Sequence, residues 1–238
     1  MKKLLAFIVF LFIADAALAQ ADSTVYDKFN TFNNQVLKGK VTKADAQKKF
    51  KEFKAFLLKQ SASTGSGNGA NWAFPLEGYS YKAVGGTNGN GYSDKGFRYL
   101  DGNKHGAHPA HDIFISDKNQ DCMDDHMLKP VNVLAVKAGI VVACTNQWDA
   151  QGNMRGGRYI WIYHPEGFFT YYAHNRQIFV KPGDNVQEGQ KIAEVGRTGF
   201  NAYQKRSPTH LHFSAFKLAD DIPAPFNPYT QLKSAITK

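Results

Sequence analysis

The chain has 238 residues, of which 43% are hydrophobic, 13% aromatic and 21% charged. That mixture supplies a globular core and, with only two cysteines, excludes a collagenous, disordered or disulfide-stapled chain. Twenty-nine Lys and Arg against twenty Asp and Glu give a formal charge of +9, which favours a polyanionic surface without selecting one.

The N-terminus has the three parts of a secretory signal. Lys2 and Lys3 precede the apolar run Leu4 to Ile13, and Ala17-Leu18-Ala19 offers a small-x-small cleavage site, with Ala19-Gln20-Ala21 overlapping it. Residues 1–19 are therefore expected to be removed, with cleavage near Ala19 or Ala21. The run is too short to span a bilayer, no Cys follows it, and no later stretch reads as a membrane helix. The protein is expected to be exported, to a periplasm or beyond, and nucleic acid drops out as a partner. An oxidising compartment permits a disulfide, so Cys122 and Cys144 are expected to pair and staple the 115–131 insertion to a strand. Two free thiols are the alternative.

Val25, Phe29, Phe32 and Val36 recur at helical spacing after Asp22 and Ser23, and Gly39 would end that helix. Thr42 with Asp45 resembles a capping box opening a second helix, whose stripe is Ala46, Phe50, Phe53 and Leu57. Residues 22–60 thus predict a helical hairpin, read as a separable accessory segment, and the Gly/Ser-rich residues 61–71 predict a linker. From Trp72 short β-type runs alternate with turn residues, including 133–136, 140–145, 159–164, 169–174, 191–195 and 210–216. Residues 72–230 predict a mainly β domain with an antiparallel sheet.

Three histidine-bearing segments can carry chemistry. In Thr209-His210-Leu211-His212-Phe213 a strand projects both imidazoles from one face and Leu211 from the other. In His108-Pro109-Ala110-His111-Asp112, Pro109 disfavours helix, so in extended chain His108 and Asp112 share a side and His111 turns away. Asp112 opens an apolar run, where a carboxylate needs a partner: a metal, an Arg or backbone amides. His108, Asp112 and one histidine of the pair would leave a fourth position open for water, the pattern of catalytic zinc. His174 ends the strand Phe169 to His174, and alone would read as a surface histidine.

H-x-x-x-D, T-x-Y-x-H, G-x-T-G and H-L-H-F followed by Asn-Pro, in this order, resemble the lysostaphin-type zinc metalloendopeptidases that cut peptidoglycan peptides. The resemblance runs from about Trp72 to Tyr229 and takes in Lys181-Pro182-Gly183-Asp184 and Gly196-Arg197-Thr198-Gly199. It implies one zinc ion on His108, Asp112 and His212, with His210 and His174 acting on water and substrate. It further implies a peptidoglycan peptide substrate and a protein expected to be monomeric. Ala110 stands where the family has Gly. The insertion 116–129 is unusual, and its Asp117-x-Asn119-x-Asp121 spacing resembles the start of a calcium loop, although Cys122 and Leu128 replace the Gly and Glu that such a loop needs. His105, His126 and His164 are expected at the surface or around the metal ligands. Competing readings are an inactive peptidoglycan-binding activator of another hydrolase, a wall-binding module, and a biotinyl/lipoyl-type hairpin domain.

Overall fold

A computed structural model describes residues 25–64, 71–104 and 106–238; the expected signal segment, residues 65–70 of the linker and His105 lie outside the described residues. Helix α1 covers residues 25–37 and buries Tyr26, Phe29, Phe32 and Val36. Its end is closed by Gly39 at φ +66°, with the Lys40 N–H on the Gln35 carbonyl at 2.9 Å and the Gly39 N–H on the Val36 carbonyl at 2.8 Å. That left-handed turn is where glycine costs least. Helix α2 (Lys43–Thr64) starts at the cap read from the sequence: Thr42 Oγ1 accepts the Asp45 N–H at 3.2 Å. It continues to Thr64, into the segment expected as linker, because the first glycine there is Gly65.

The domain that follows is built on antiparallel ladders. Its strands are β1 (His111–Phe114), β2 (Asn132–Leu134), β3 (Gly139–Thr145), β4 (Tyr159–His164), β5 (Phe168–Ala173), β6 (Gln177–Ile178), β7 (Asn185–Val186), β8 (Lys191–Glu194), β9 (His210–Ala219) and β10 (Ile222–Phe226), before a short helix α3 (Tyr229–Ser234). The large sheet has the order β1-β9-β5-β4-β3-β7, with β10 also on β9; a small sheet has the order β2-β8-β6. β4 is buried along its whole length, as its two-sided apolar sequence requires.

The two faces of the large sheet meet different partners. Ile160, Ile162, Tyr172, Leu211 and Phe213 point to one side and pack with Val133, Ile178 and Ile192 around the small sheet. Tyr159, Trp161, Tyr163, Phe169 and Phe216 point to the other and share a core with the stripes of α1 and α2. Phe50 of α2 stands edge-on to Phe29, Phe32 and Tyr99, with centroids 5.9, 5.4 and 5.4 Å away. The helices read from the sequence as a separable accessory segment therefore close one face of the sheet.

His164, expected at the surface or near the metal ligands, is fully buried on β4. Its Nδ1–H donates to the Ala138 carbonyl at 2.9 Å and its Nε2 accepts the Thr170 hydroxyl at 2.7 Å. The Tyr172 hydroxyl continues the chain 3.1 Å from Thr170 and accepts the Val136 N–H at 3.0 Å. Burial lowers the His164 pKa to about 4, so the ring is neutral in the folded protein.

The expected disulfide is not formed: Cys122 and Cys144 are both free thiols. Cys144 lies opposite Ile160, Ile160 opposite Tyr172 and Tyr172 opposite Phe213. Three ladder spacings, roughly 14 Å, thus separate it from Phe213 on β9. Cys122 lies in the insertion between β1 and β2. Its N–H and the Thr209 hydroxyl both donate to the Asp117 carboxylate, at 2.9 and 2.6 Å, beside the start of β9. A disulfide needs Cα atoms within about 7 Å; the Cys144 Sγ instead sits 3.6 Å from the Val180 carbonyl. The Asp117 carboxylate also accepts the Asp121 N–H at 3.1 Å, so the calcium-like spacing serves to close the insertion on itself and onto Thr209.

Candidate metal centre

Register assembles the site. Asp112 of β1 lies directly opposite His212 of β9, Phe114 opposite His210, and Ala173 of β5 opposite His212 on the other edge. His210 and His212 project from one face while Leu211 is buried in the opposite core, as the alternation predicted. His108 precedes β1 and is held by two backbone hydrogen bonds to Ser93, at 2.8 and 2.9 Å. His174 sits just past β5 with φ +67°. All five residues singled out in the sequence come together. His108 Nε2 and His212 Nδ1 lie 3.2 and 3.1 Å from the same Asp112 Oδ1, and His210 Nε2 lies 3.7 Å from it. The His174 ring centroid is 4.9 Å from that of His210 and 5.4 Å from that of His212.

Carbonyls orient three of the rings. His108 Nδ1 faces the Gly91 carbonyl at 3.1 Å, His210 Nδ1 that of Pro208 at 2.7 Å, and His174 Nδ1 that of Thr198 at 2.8 Å. A carbonyl only accepts, so each Nδ1 carries the proton. In His210 and His174 this leaves Nε2 as the lone-pair nitrogen of the neutral ring. Gly199 makes the Thr198 contact possible: at φ +111°, a Cβ there would collide with the Arg155 carbonyl and with His174 Nδ1. His111 turns away as expected and donates from Nε2 to Asn227 Oδ1 at 2.8 Å.

The charges follow from the same contacts. Burial works against ionising Asp112, yet the hydrogen bonds from His108 and His212 outweigh it and hold the carboxyl far below the usual carboxylate range. His108 is raised by its hydrogen bond to Asp112. His212 touches the same oxygen but is lowered, because burial dominates and His108 and His210 repel its charge. The difference between the two partners lies in their surroundings: the His108 side chain is 37% exposed and the His212 side chain 20%. His174 is lowered well below 6.5, by burial first and then by His210 and His212.

His108, Asp112 and His212 each offer one ligand atom, and these atoms all lie within 4.8 Å of one another. Two imidazole nitrogens and a carboxylate oxygen, one imidazole already oriented through its second nitrogen, fit a zinc-type centre with an open fourth position. A cavity of about 280 Å³ opens over the cluster. Its wall includes residues the sequence did not single out: Asn33 and Leu37 of α1, Asn103, Arg155, Tyr171 and Asn201. Tyr171 stands 6.2 Å from His212, and burial raises its phenol. The one readable signal for the Arg155 loop was Gly156-Gly157; a Cβ at Gly156 would strike the Tyr171 hydroxyl.

The antiparallel β domain thus brings a three-donor cluster that could hold a metal ion together with two further histidines. Residues 120–224 match the model described as peptidase family M23. The matched stretch includes His174, His210 and His212. The chain is 42% identical over 66 residues to the Escherichia coli lipoprotein YgeR, an alignment spanning 28% of this chain and 24% of that protein. It is 36% identical over 81 residues to the E. coli murein hydrolase activator NlpD, spanning 34% of this chain and 18% of that one. Among solved structures, it resembles the antimicrobial peptidase lysostaphin from Staphylococcus simulans at 26% identity and a TM-score of 0.38, covering 55% of this chain and 44% of that one. The chain thus spans about a quarter or less of the curated relatives named here.

Proposed function

We propose that the protein is a zinc-dependent endopeptidase that hydrolyses peptide bonds of bacterial peptidoglycan. The observation that carries this reading is the convergence of His108, Asp112 and His212 with two non-ligand histidines at one cavity. Zinc on those three donors would supply a Lewis acid and make water acidic near neutral pH. Asp112 contributes a negative charge that neutralises part of the cation. His210 and His174, each with Nδ1–H committed to a carbonyl, aim Nε2 at the cleft as acceptors. One of them takes the proton of the attacking water and, as the imidazolium so formed, donates from Nε2 to the developing oxyanion before passing the proton to the leaving amine. Burial of His174 favours the neutral ring that a base requires.

The signal-like N-terminus and the lipoprotein relative support an exported, cell-envelope setting; among the described residues no helix is long and apolar enough to cross a membrane. The NlpD relative motivates a second reading, in which the chain binds peptidoglycan and activates another hydrolase. Mass spectrometry of muropeptides after digestion of purified sacculi, together with the metal content of the protein and of Asp112→Ala, separates the two. The proposal expects cleaved crosslinks or bridges, about one zinc per chain, and loss of both in the variant. Intact muropeptides from zinc-loaded protein would leave the activator.

A further inference from the structure

Beside the cavity over the histidine cluster lies a second one, of about 540 Å³, and the two share Leu37, Asn103, Arg155 and Asn201. The outer cavity is basic. Lys38, at the end of α1, and Lys104, at the end of the 3-10 segment 99–104, line it together with Arg155. Its one carboxylate, Asp101, is already paired with Arg98 at 2.9 Å. Neither lysine has an ion pair among the described residues, whereas Arg155 is half-buried at the passage between the two cavities. Its N–H donates to Asn103 Oδ1 at 3.3 Å, and the Phe200 N–H holds the adjoining Met154 carbonyl at 2.9 Å, so the loop that presents it is anchored on both sides. A guanidinium in partly desolvated surroundings binds carboxylates in a planar, bidentate way that a solvated ammonium does not.

We infer that the outer cavity is a subsite for a carboxylate of the substrate peptide, with Arg155 as the anchoring cation and Lys38 and Lys104 attracting the anionic chain into the groove. The inference rests on the endopeptidase reading, since it supplies the peptide whose scissile bond occupies the inner cavity. It narrows that reading to stem peptides with free carboxylates, and predicts poor use of amidated ones. Wall chemistry that masks these carboxylates as carboxamides would then act as resistance to this enzyme. Two of the three cations come from segments outside the residues that match the family model, namely α1 and the 3-10 segment, so the preference would belong to this chain's own N-terminal part.

The test is binding by calorimetry to the full mature chain, using as probes a stem tetrapeptide of Ala, γ-linked Glu, diaminopimelate and D-Ala with free carboxylates, and the same peptide with every carboxylate amidated. Hydrolysis of crosslinked dimers of each form is followed in parallel. The free-carboxylate probe should bind about tenfold or more tightly than the amidated one, as expected for one charge-assisted hydrogen-bonding group. Arg155→Gln, and independently Lys38→Gln with Lys104→Gln, should erase most of that difference by weakening the free-carboxylate probe more than the amidated one, and salt should weaken chiefly the first probe. Equal binding of the two probes, or an equal loss for both in the variants, overturns the inference. Because the variants could perturb the loop, Arg155→Lys serves as a second probe and should retain part of the preference. A carboxylate preference in binding without hydrolysis would uphold the subsite and remove the endopeptidase reading; hydrolysis of both dimers at equal rates, with equal binding, would do the reverse.

Discussion

Phe50→Ala tests whether the helix pair belongs to the fold of the β domain. Phe50 is 1% exposed, and its ring sits among Phe29 and Phe32 of α1 and Tyr99, which in turn packs edge-on against Trp161 of the sheet. Truncation removes one large side chain at the junction of helices and sheet, where collapse is resisted by rings on three sides. Such Phe→Ala changes cost about 3–5 kcal/mol. In a domain of this size each kcal/mol lowers Tm by roughly 2–4 °C, so a drop of about 6–20 °C is expected. Calorimetry or near-UV and far-UV circular dichroism of metal-free protein reads it, with Leu58→Ala on the same helix, half exposed, as a control that should stay within about 0.5 kcal/mol. A single, shifted transition in all signals is the expected result. If Phe50→Ala melts with the wild type, or if only helical signal is lost in an early step while the aromatic β signal melts unchanged, the helices are a separate unit and the shared core has no energetic meaning.

Replacing the non-ligand histidines should separate chemistry from metal retention: His210→Ala and His174→Ala keep zinc by elemental analysis but lose about 10² to 10⁴ in peptidoglycan cleavage, and wild-type turnover in a zinc-loaded variant would exclude that ring. His164 sets a pH dependence of stability. Its folded pKa of about 4 lies below the unfolded value of about 6.5, so the unfolded chain binds the extra proton; the contribution is complete above about pH 6.5 and is lost as pH falls toward 4, by about 3 kcal/mol. His164→Gln, which can keep both hydrogen bonds without titrating, should flatten that part of the urea-denaturation profile, and parallel profiles would contradict it. Thiol labelling of unreduced, denatured protein should modify both Cys122 and Cys144; an unlabelled pair would restore the crosslink.

Local features were legible because they depend on near neighbours in the chain. The caps at Thr42 and Gly39, the stripes of α1 and α2, and the shared face of His210 and His212 all follow from spacing alone. What spacing cannot say is which surface a stripe meets. Phe50 and Phe53 read the same whether the helices dock on their own or close the sheet face that bears the histidines. Strand order was hidden too, and with it the distance between Cys122 and Cys144. β10 was missed because Pro223 and Pro225 argue against a strand. Both fall on an edge strand that pairs with β9 alone, where a missing N–H can face outward. His164 was misplaced because histidine is polar, and nothing nearby in sequence reveals that Ala138, Thr170 and Tyr172 will complete its hydrogen bonds.

β9 gives the centre an uneven rigidity. Residues 210–213 of this ten-residue strand pair with β1 on one edge, residues 215–219 pair with β10 on that same edge, and β5 runs along the other. Backbone so flanked exposes its amides to exchange only when the whole sheet opens. His212 therefore rides on backbone paired on both edges, and His210 on backbone paired to β1. His174 has left its ladder and is held from a loop, by its N–H on the Gly156 carbonyl at 2.9 Å and its ring Nδ1 on the Thr198 carbonyl at 2.8 Å. Small motions of that loop would move the His174 ring against the strand-borne pair, changing the shape of the cavity without disturbing the ladder that sets Asp112 opposite His212.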